Sequence, residues 1–326
     1  MAAQGSDSKT LSISLPDGRT LSYGIYGATA PGARTVFYFH GFPASHHEAA
    51  VLDDAARAAD VRIVAPSRPG MCRSTFQPGR AITHWPTDVL ALADHAAIRA
   101  DTFGVLGASG GAPYVLACCA ALPASRLRAA GILSGLYPAS LGLQGMLLEA
   151  RLLLWLAPWS TGLVQRMLDW SIGAAAAAAA ATTTSDANSG NKLEMLMDHA
   201  MRTRPGPDRR AWEENEGGLR DMLVTSVQNA FPADSGGGGG GARGAAWEAK
   251  LLGCEWGFEL TDVNMGEGRL VLWHGKKDVN SPLAMAEKAH AMLAGSEIRI
   301  ECDEAHMSLL LHKLHEALAV LKERMS

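Results

Sequence analysis

The sequence predicts an α/β domain: a mostly parallel central sheet with helices on both faces and a helical segment inserted between two of its strands. Three observations carry this prediction. Short apolar runs alternate with helical stretches from about residue 10 to residue 138. The same rhythm returns between about residues 247 and 326. Between those parts, over about 139–246, helical patterns continue without a convincing strand.

The elements follow in chain order. Residues 11–26 alternate apolar and polar side chains around Pro16-Asp17-Gly18, the pattern of a hairpin turning at Asp17-Gly18. Thr35 to Phe39 is a continuous apolar run, suited to a strand buried on both faces. A helix is expected over Glu48 to Ala59 and a strand over Val61 to Ala65. Thr87 to Ile98 reads as a helix with Asp88 in its first turn, where a carboxylate suits the helix dipole. Phe103 to Leu106 reads as a buried strand, Ala112 to Ala120 as a packed helix and Ala129 to Leu133 as a further strand. The middle of the chain carries two low-complexity runs, within 174–190 and 235–245. The eight alanines Ala174 to Ala181 and the six glycines Gly236 to Gly241 are expected as expansions in loops or at helix ends. The rhythm resumes with a strand at Arg269 to Trp273, a helix near Leu283 to Leu293, a strand at Glu297 to Glu301 and a terminal helix near Leu309 to Met325.

The chain has 326 residues, 48% of them hydrophobic, enough for one large α/β domain with a substantial core. Its formal charge of −4 is spread without long blocks or a basic stripe, which argues against nucleic acid as a partner. The five cysteines (Cys72, Cys118, Cys119, Cys254 and Cys302) are odd in number and irregular in spacing, with no C-x-x-C pair, so free thiols in a reducing compartment are expected. The first nine residues lack a hydrophobic signal core, and a cytoplasmic protein is expected. The most apolar window, Leu141 to Trp159, contains Glu149 and Arg151 and ends at Pro158, so it reads as an amphipathic helix that covers another part of the protein rather than an integral membrane segment. Docking on a membrane surface is the weaker alternative, because the polar face is not rich in Lys or Arg.

The chemistry centres on Gly107-Ala108-Ser109-Gly110-Gly111, a G-x-S-x-G pentapeptide between an apolar strand and a small, apolar helix. A serine on a sharp strand-to-helix turn is lifted out at the sheet edge, and the flanking glycines let strand and helix approach. The helix N-terminus points backbone N–H groups at negative charge forming beside the serine. A serine hydroxyl needs a base within reach, and the base needs an orienting group. Two loops after later strands offer them: Asp278 in the loop after Trp273, and His306 in the loop after Glu301. The order Ser, Asp, His fits a parallel sheet of this kind. Phe39-His40-Gly41-Phe42-Pro43 follows an early buried strand. There the backbone N–H groups of Phe42 and Gly110 are the expected oxyanion donors, with His40 and Gly41 bracing the loop.

These pieces resemble a serine hydrolase of the α/β-hydrolase superfamily, of the small single-domain type with an H-G-x-P loop and a helical cap. The matching residues are His40-Gly41-Phe42-Pro43, Arg68-Pro69-Gly70, Gly107 to Gly111, His274-Gly275 with Asp278 and Pro282, and His306 with Ser308. The resemblance implies Ser109 as nucleophile, His306 as general base and then acid, Asp278 as orienting acid, and residues 139–246 as a cap over the pocket. It implies cleavage of a carboxylic ester or related small-molecule acyl compound, as in carboxylesterases, with no cofactor and no metal. A proline-iminopeptidase-like, amide or C–C bond hydrolase on the same triad stays open, as does a small-molecule receptor on the same fold. Oligomeric state is left open. Haloalkane dehalogenases and epoxide hydrolases of this fold carry Asp at the elbow, and Ser109 argues against both.

Three departures from the family pattern stand out: Ser67 where Asp is usual, Cys72 where Gly is usual, and Ala305 where Gly is usual. A residue other than glycine at 72 would strain the turn if φ there is positive. His40, His46 and His47 are near one another in sequence, but no acidic or cysteine ligand accompanies them at a useful spacing, so no metal site is expected. His290, His312 and His315 lie in helical segments, and Asp262 and Asp303 are weaker rivals to Asp278. Glu213, Glu214 and Glu216 are the candidates for holding a substrate amine. Met146, Trp155, Trp159 and Trp170 either line an apolar pocket or pack the cap on the core.

Overall fold

The structure, a computed structural model, describes residues 10–181, 191–232 and 241–326. The rest of the two low-complexity runs, 182–190 and 235–240, lies outside the described residues. The chain opens with the hairpin β1 (Leu11–Ser14) and β2 (Thr20–Gly27), paired antiparallel so that Ser14 faces Thr20 across the Asp17-Gly18 turn. β3 (Arg34–Phe39), α1 (Asp53–Ala58), β4 (Val61–Pro66), α2 (Trp85–Asp94), β5 (Phe103–Ala108), α3 (Ala112–Ala121) and β6 (Leu127–Leu133) follow. A helical stretch then intervenes: α4 (Leu148–Trp159), α5 (Thr161–Leu168), α6 (Ala174–Ala181), α7 (Asn191–Met201), α8 (Gly206–Glu213), α9 (Leu219–Ala230) and α10 (Arg243–Gly253). β7 (Leu270–Gly275), α11 (Leu283–Met292), β8 (Glu297–Glu301) and α12 (His306–Arg324) complete the chain.

The eight strands form one sheet in the order β1-β2-β4-β3-β5-β6-β7-β8. β2 meets β4 antiparallel, and every pair from β4 through β8 is parallel. The continuous apolar strands are explained by burial on both faces. Along β3, Phe37 and Phe39 join the core beneath α2 and α3, whereas Val36 and Tyr38 join the core beneath α1 and α12, the two-residue period of a pleated strand. Parallel pairing brings the C-terminal ends of β3, β5, β6 and β7 to one edge, with Phe39 beside Gly107 and Leu133 beside Trp273. Among the described residues, no helix is long and apolar enough to cross a membrane.

Three elements differ from the sequence reading, and the alanine run agrees with it. α2 begins at Trp85 with Pro86 in its first turn, a position where proline's missing N–H costs nothing, and it ends at Asp94 rather than near residue 98. The segment expected as helix over 48–59 is a 3₁₀ turn, His46–Leu52, continued by the short α1. The alanine run falls at a helix end, as expected: α6 continues α5 through a π-helical turn at Asp169–Gly173, and its Ala175 and Ala176 are buried against Leu193, Val227 and Phe231. Methyl side chains let that helix pack closely, which composition alone does not reveal. α12 starts at His306, three residues before its expected start, for a reason that lies in the site.

Candidate active site

β5 ends at Ala108, and Ser109 turns the chain into α3 with φ of +51°, a left-handed conformation unusual for a side chain with a Cβ. The turn leaves no room beside it. A Cβ on Gly107 would lie 2.7 Å from the Val115 side chain, and one on Gly111 would overlap the Phe39 carbonyl oxygen. These two glycines are therefore needed for close approach, while Ser109 absorbs the strain.

His306 and Asp278 meet, as the sequence order predicts. Nδ1 of His306 is 2.7 Å from Oδ2 of Asp278, whose side chain is fully buried. The other carboxylate oxygen, Oδ1, accepts the backbone N–H groups of Asn280 (2.8 Å) and Ser281 (2.9 Å), so Asp278 is fixed on both sides. Burial pulls the His306 pKa down, but the Asp278 carboxylate outweighs it and the net shift is upward. His306 is not in a loop. It is the first residue of α12, and that start is fixed by Asp208, a buried residue of α8. Asp208 accepts the backbone N–H groups of His306 (3.2 Å), Met307 (2.9 Å) and Ser308 (3.0 Å). A carboxylate at a helix N-terminus satisfies orphan N–H groups and complements the dipole. Sequence reading missed Asp208, because its partners lie 98 to 100 residues away.

The loop after β3 faces the elbow: a Cβ on Gly110 would stand 3.4 Å from the backbone nitrogen of Phe42. Buried polar groups hold this loop. The backbone N–H of Arg68 donates to Nε2 of His40 (3.3 Å), so Nδ1 carries the ring proton and donates to the Gly41 carbonyl (3.0 Å). Burial and the nearby Arg68 guanidinium keep His40 neutral, far below the usual imidazole range. The Arg68 guanidinium donates 2.6 Å bonds to the carbonyls of both His40 and Gly41, and its Nε lies 2.8 Å from Oε1 of Glu248 on α10. Glu248 also pairs with Arg80 and accepts the Tyr114 hydroxyl at 2.8 Å. Burial alone would raise the Glu248 carboxyl, but the two guanidiniums hold it below its ordinary value. Glu48, unanticipated from sequence, accepts the N–H of Gly41 (2.9 Å) and the hydroxyl of Tyr38 (2.7 Å), and burial pushes its carboxyl up.

No family model and no curated protein sequence matches the chain. Solved structures do resemble it. A thermophilic esterase from Thermogutta terrifontis superposes with a TM-score of 0.64 at 15% identity, over 98% of this chain and 100% of that one. A bromoperoxidase from Bacillus anthracis gives 0.62 at 13% identity, over 96% and 99%. An alpha/beta hydrolase fold protein from Nakamurella multipartita gives 0.59 at 19% identity, over 97% and 99%. The chain has the α/β-hydrolase fold.

In this α/β-hydrolase fold, Ser109, His306, Gly41, Phe42 and Gly110 all line one cavity of about 800 Å³. Its walls come largely from the inserted helices and are apolar: Leu153 and Leu156 of α4, Leu168 of α5, and Leu193, Met197 and Met201 of α7. Met146 is buried in the wall, and Trp170 lines it from the outside, whereas Trp155 and Trp159 face solvent. The acids in the lining are Glu48 and Glu149, and Glu149 pairs with Arg204 at 3.2 Å. Glu213, Glu214 and Glu216 are not in the lining, and Glu216 bonds His312 instead. Asp303 is exposed and pairs with Lys277. Cys72 has φ of +51°, so the departure from glycine is strained as expected. The fold also supplies what sequence spacing lacked: Cys72 lies with His46 and His47, their donor atoms within 4.8 Å of one another and all three buried. His46 is already engaged there with Ser67 (2.9 Å) and Thr10 (3.2 Å).

Proposed function

We propose that this protein is a serine hydrolase that cleaves carboxylic esters, or related acyl compounds, carrying a large apolar group. One observation carries the proposal: a strained elbow serine shares a cavity with a histidine whose Nδ1 lies 2.7 Å from a buried, doubly hydrogen-bonded aspartate. With Nδ1–H held by Asp278, the free Nε2 of neutral His306 is the proton acceptor. It takes the Ser109 proton as Oγ bonds to the substrate carbonyl carbon. The carbonyl oxygen becomes an oxyanion facing the N–H groups of Phe42 and Gly110. The imidazolium then protonates the departing alkoxide, and the alcohol leaves an acyl-serine. Water repeats the sequence: His306 takes a proton, the hydroxide adds to the acyl carbon, and Ser109 leaves with the returned proton as the carboxylic acid departs. Each oxyanion donor is worth about 100- to 1,000-fold in rate.

The apolar wall supports an extended acyl or alkyl group over a charged one. Both acids of the lining are engaged, one with Tyr38 and Gly41 and the other with Arg204, which weighs against capture of a substrate amine. Labelling with a fluorophosphonate probe tests the reading. The unsubstituted protein should react and Ser109→Ala should not; an inert native protein, or a labelled alanine variant, sinks it. A p-nitrophenyl ester series should favour longer acyl chains, and aminoacyl-naphthylamides should turn over poorly. A protein that is stabilised by small molecules but neither labels nor turns over would be a receptor.

A further inference from the structure

The inserted helices wear apolar side chains on the outside. Of the eight tryptophans in the chain, Trp155, Trp159 and Trp170 are exposed, at 66%, 82% and 85%, and all three belong to one stretch, α4 through the turn that follows α5. On α4 the exposed apolar residues are Leu148, Leu152, Trp155 and Trp159, spaced i, i+4, i+7 and i+11, which is a single helix face. The opposite face holds the helix down through buried Leu154 and Ala157. α5 repeats the arrangement with Leu163, Met167 and Trp170, spaced i, i+4 and i+7. The two helices pack on each other, so the stripes lie on adjoining helices. Exposed Arg151 and Arg166 occupy the same place beside each stripe, three residues after Leu148 and three after Leu163. Contiguous apolar surface of this kind is uncommon on a soluble monomer and marks an interaction site.

This surface runs into the cavity. Leu152, Met167 and Trp170 are exposed and also line the wall that leads to Ser109. We propose that the face made by α4, α5 and Trp170 docks on a lipid surface, and that the cavity takes its substrate, a long-chain acyl ester, directly from that surface. The substrate half rests on the hydrolase reading above; the docking half does not. Continuity selects the occupant. A second copy of the chain seated here would cover Leu152, Met167 and Trp170 and shut the entry, whereas a lipid surface turns the entry toward acyl chains. Tryptophan suits the boundary between headgroups and hydrocarbon, being apolar in its body and a hydrogen-bond donor at its edge. The exposed Arg151 and Arg166 beside the stripes supply guanidiniums for pairing with lipid phosphates.

The test uses full-length Ser109→Ala protein, so that binding is read without turnover, and vesicles of phosphatidylcholine and phosphatidylglycerol. The expected result is co-flotation, with tryptophan emission shifted to shorter wavelength and quenched by phospholipid brominated on its acyl chains. Trp155→Ser with Trp159→Ser, neither residue in the cavity wall, should weaken vesicle partitioning roughly tenfold or more. The same pair of changes in the protein with Ser109 intact should leave hydrolysis of a soluble short-chain ester unchanged. Absence of flotation and quenching overturns the proposal, as does equal partitioning of the double variant. A lipid-free dimer in sedimentation equilibrium that the double variant dissolves overturns it in favour of a second copy. Vesicle binding by a protein that never labels with fluorophosphonate would uphold docking and remove the substrate half together with the hydrolase reading.

Discussion

Replacing Asp208 tests whether an inserted helix sets the position of the base. Asp208→Ala removes the acceptor of three backbone N–H groups, at His306, Met307 and Ser308, in a buried setting. Losing a helix N-cap costs about 1 to 2 kcal/mol, and a partly buried charge at a helix N-terminus adds up to about 2. Because these contributions overlap, a total of about 3 kcal/mol is expected, or a fall in Tm of about 5 °C for a chain of this size. Calorimetry reads that number. Kinetics separate positioning from mere stability: below the melting range, kcat for a short soluble ester should fall while KM stays near its original value. A displacement of about 1 Å in such a group can cost a hundredfold. Asp208→Asn is the control, since it keeps an oxygen acceptor and removes the charge. The Asp208 charge helps hold the His306 pKa up. The asparagine variant should therefore keep most of the stability while the acidic limb of its pH profile moves to lower pH. An alanine variant with parental Tm and kcat, or an asparagine variant whose limb moves upward, would refute the coupling.

Other consequences are open to measurement. His306 must be neutral to accept the Ser109 proton, and its pKa lies above the ordinary 6.5, so kcat/KM should fall as pH drops through a midpoint higher than that value. Asp278→Asn should lower that midpoint and reduce kcat by about 10⁴-fold, measured on the same ester series. Gly111→Ala should yield little soluble protein, because the new methyl group overlaps the Phe39 carbonyl and neither backbone can yield. Glu248→Ala leaves Arg68 and Arg80 buried without their counter-ion and should cost about 3 to 5 kcal/mol in urea unfolding. Unchanged unfolding would show that the buried network holds nothing.

The parts of the fold that the sequence made legible are those in which local pattern and burial coincide. The run Val36 to Phe39 is apolar because the finished strand is covered on both faces. The elbow was legible because its glycines answer a local demand for space. Asp278 was legible because it lies in the short loop after a buried strand, three residues past Gly275. What escaped was set by distant contacts. Ala305 stands at the cap position of α12 and offers no side-chain acceptor, so nothing in residues 300–310 announces that the helix begins at His306; the announcing group is Asp208. The cluster of His46, His47 and Cys72 was invisible for the same reason. The orientation of α4 was undetermined too. Leu148, Leu152, Trp155 and Trp159 form the pattern of a buried face, and only packing shows that they point outward.

The contacts that moor the inserted helices have a consequence for length variation in this chain. Asp169 accepts the N–H of Ala242 at 2.8 Å, Ser226 and Ser45 exchange side-chain and backbone bonds, the Cys72 N–H reaches the Asn229 carbonyl at 2.8 Å, and Glu248 joins Arg68. With Asp208, every one of these residues lies outside 182–190 and 233–240. Homopolymer runs are where copying errors add or remove residues. A doubled connection costs only about 0.6 kcal/mol of closure entropy. Variants that gain or lose a few glycines after Gly236 should therefore keep every mooring in place, and drift in that run would be nearly silent toward the site it borders in sequence.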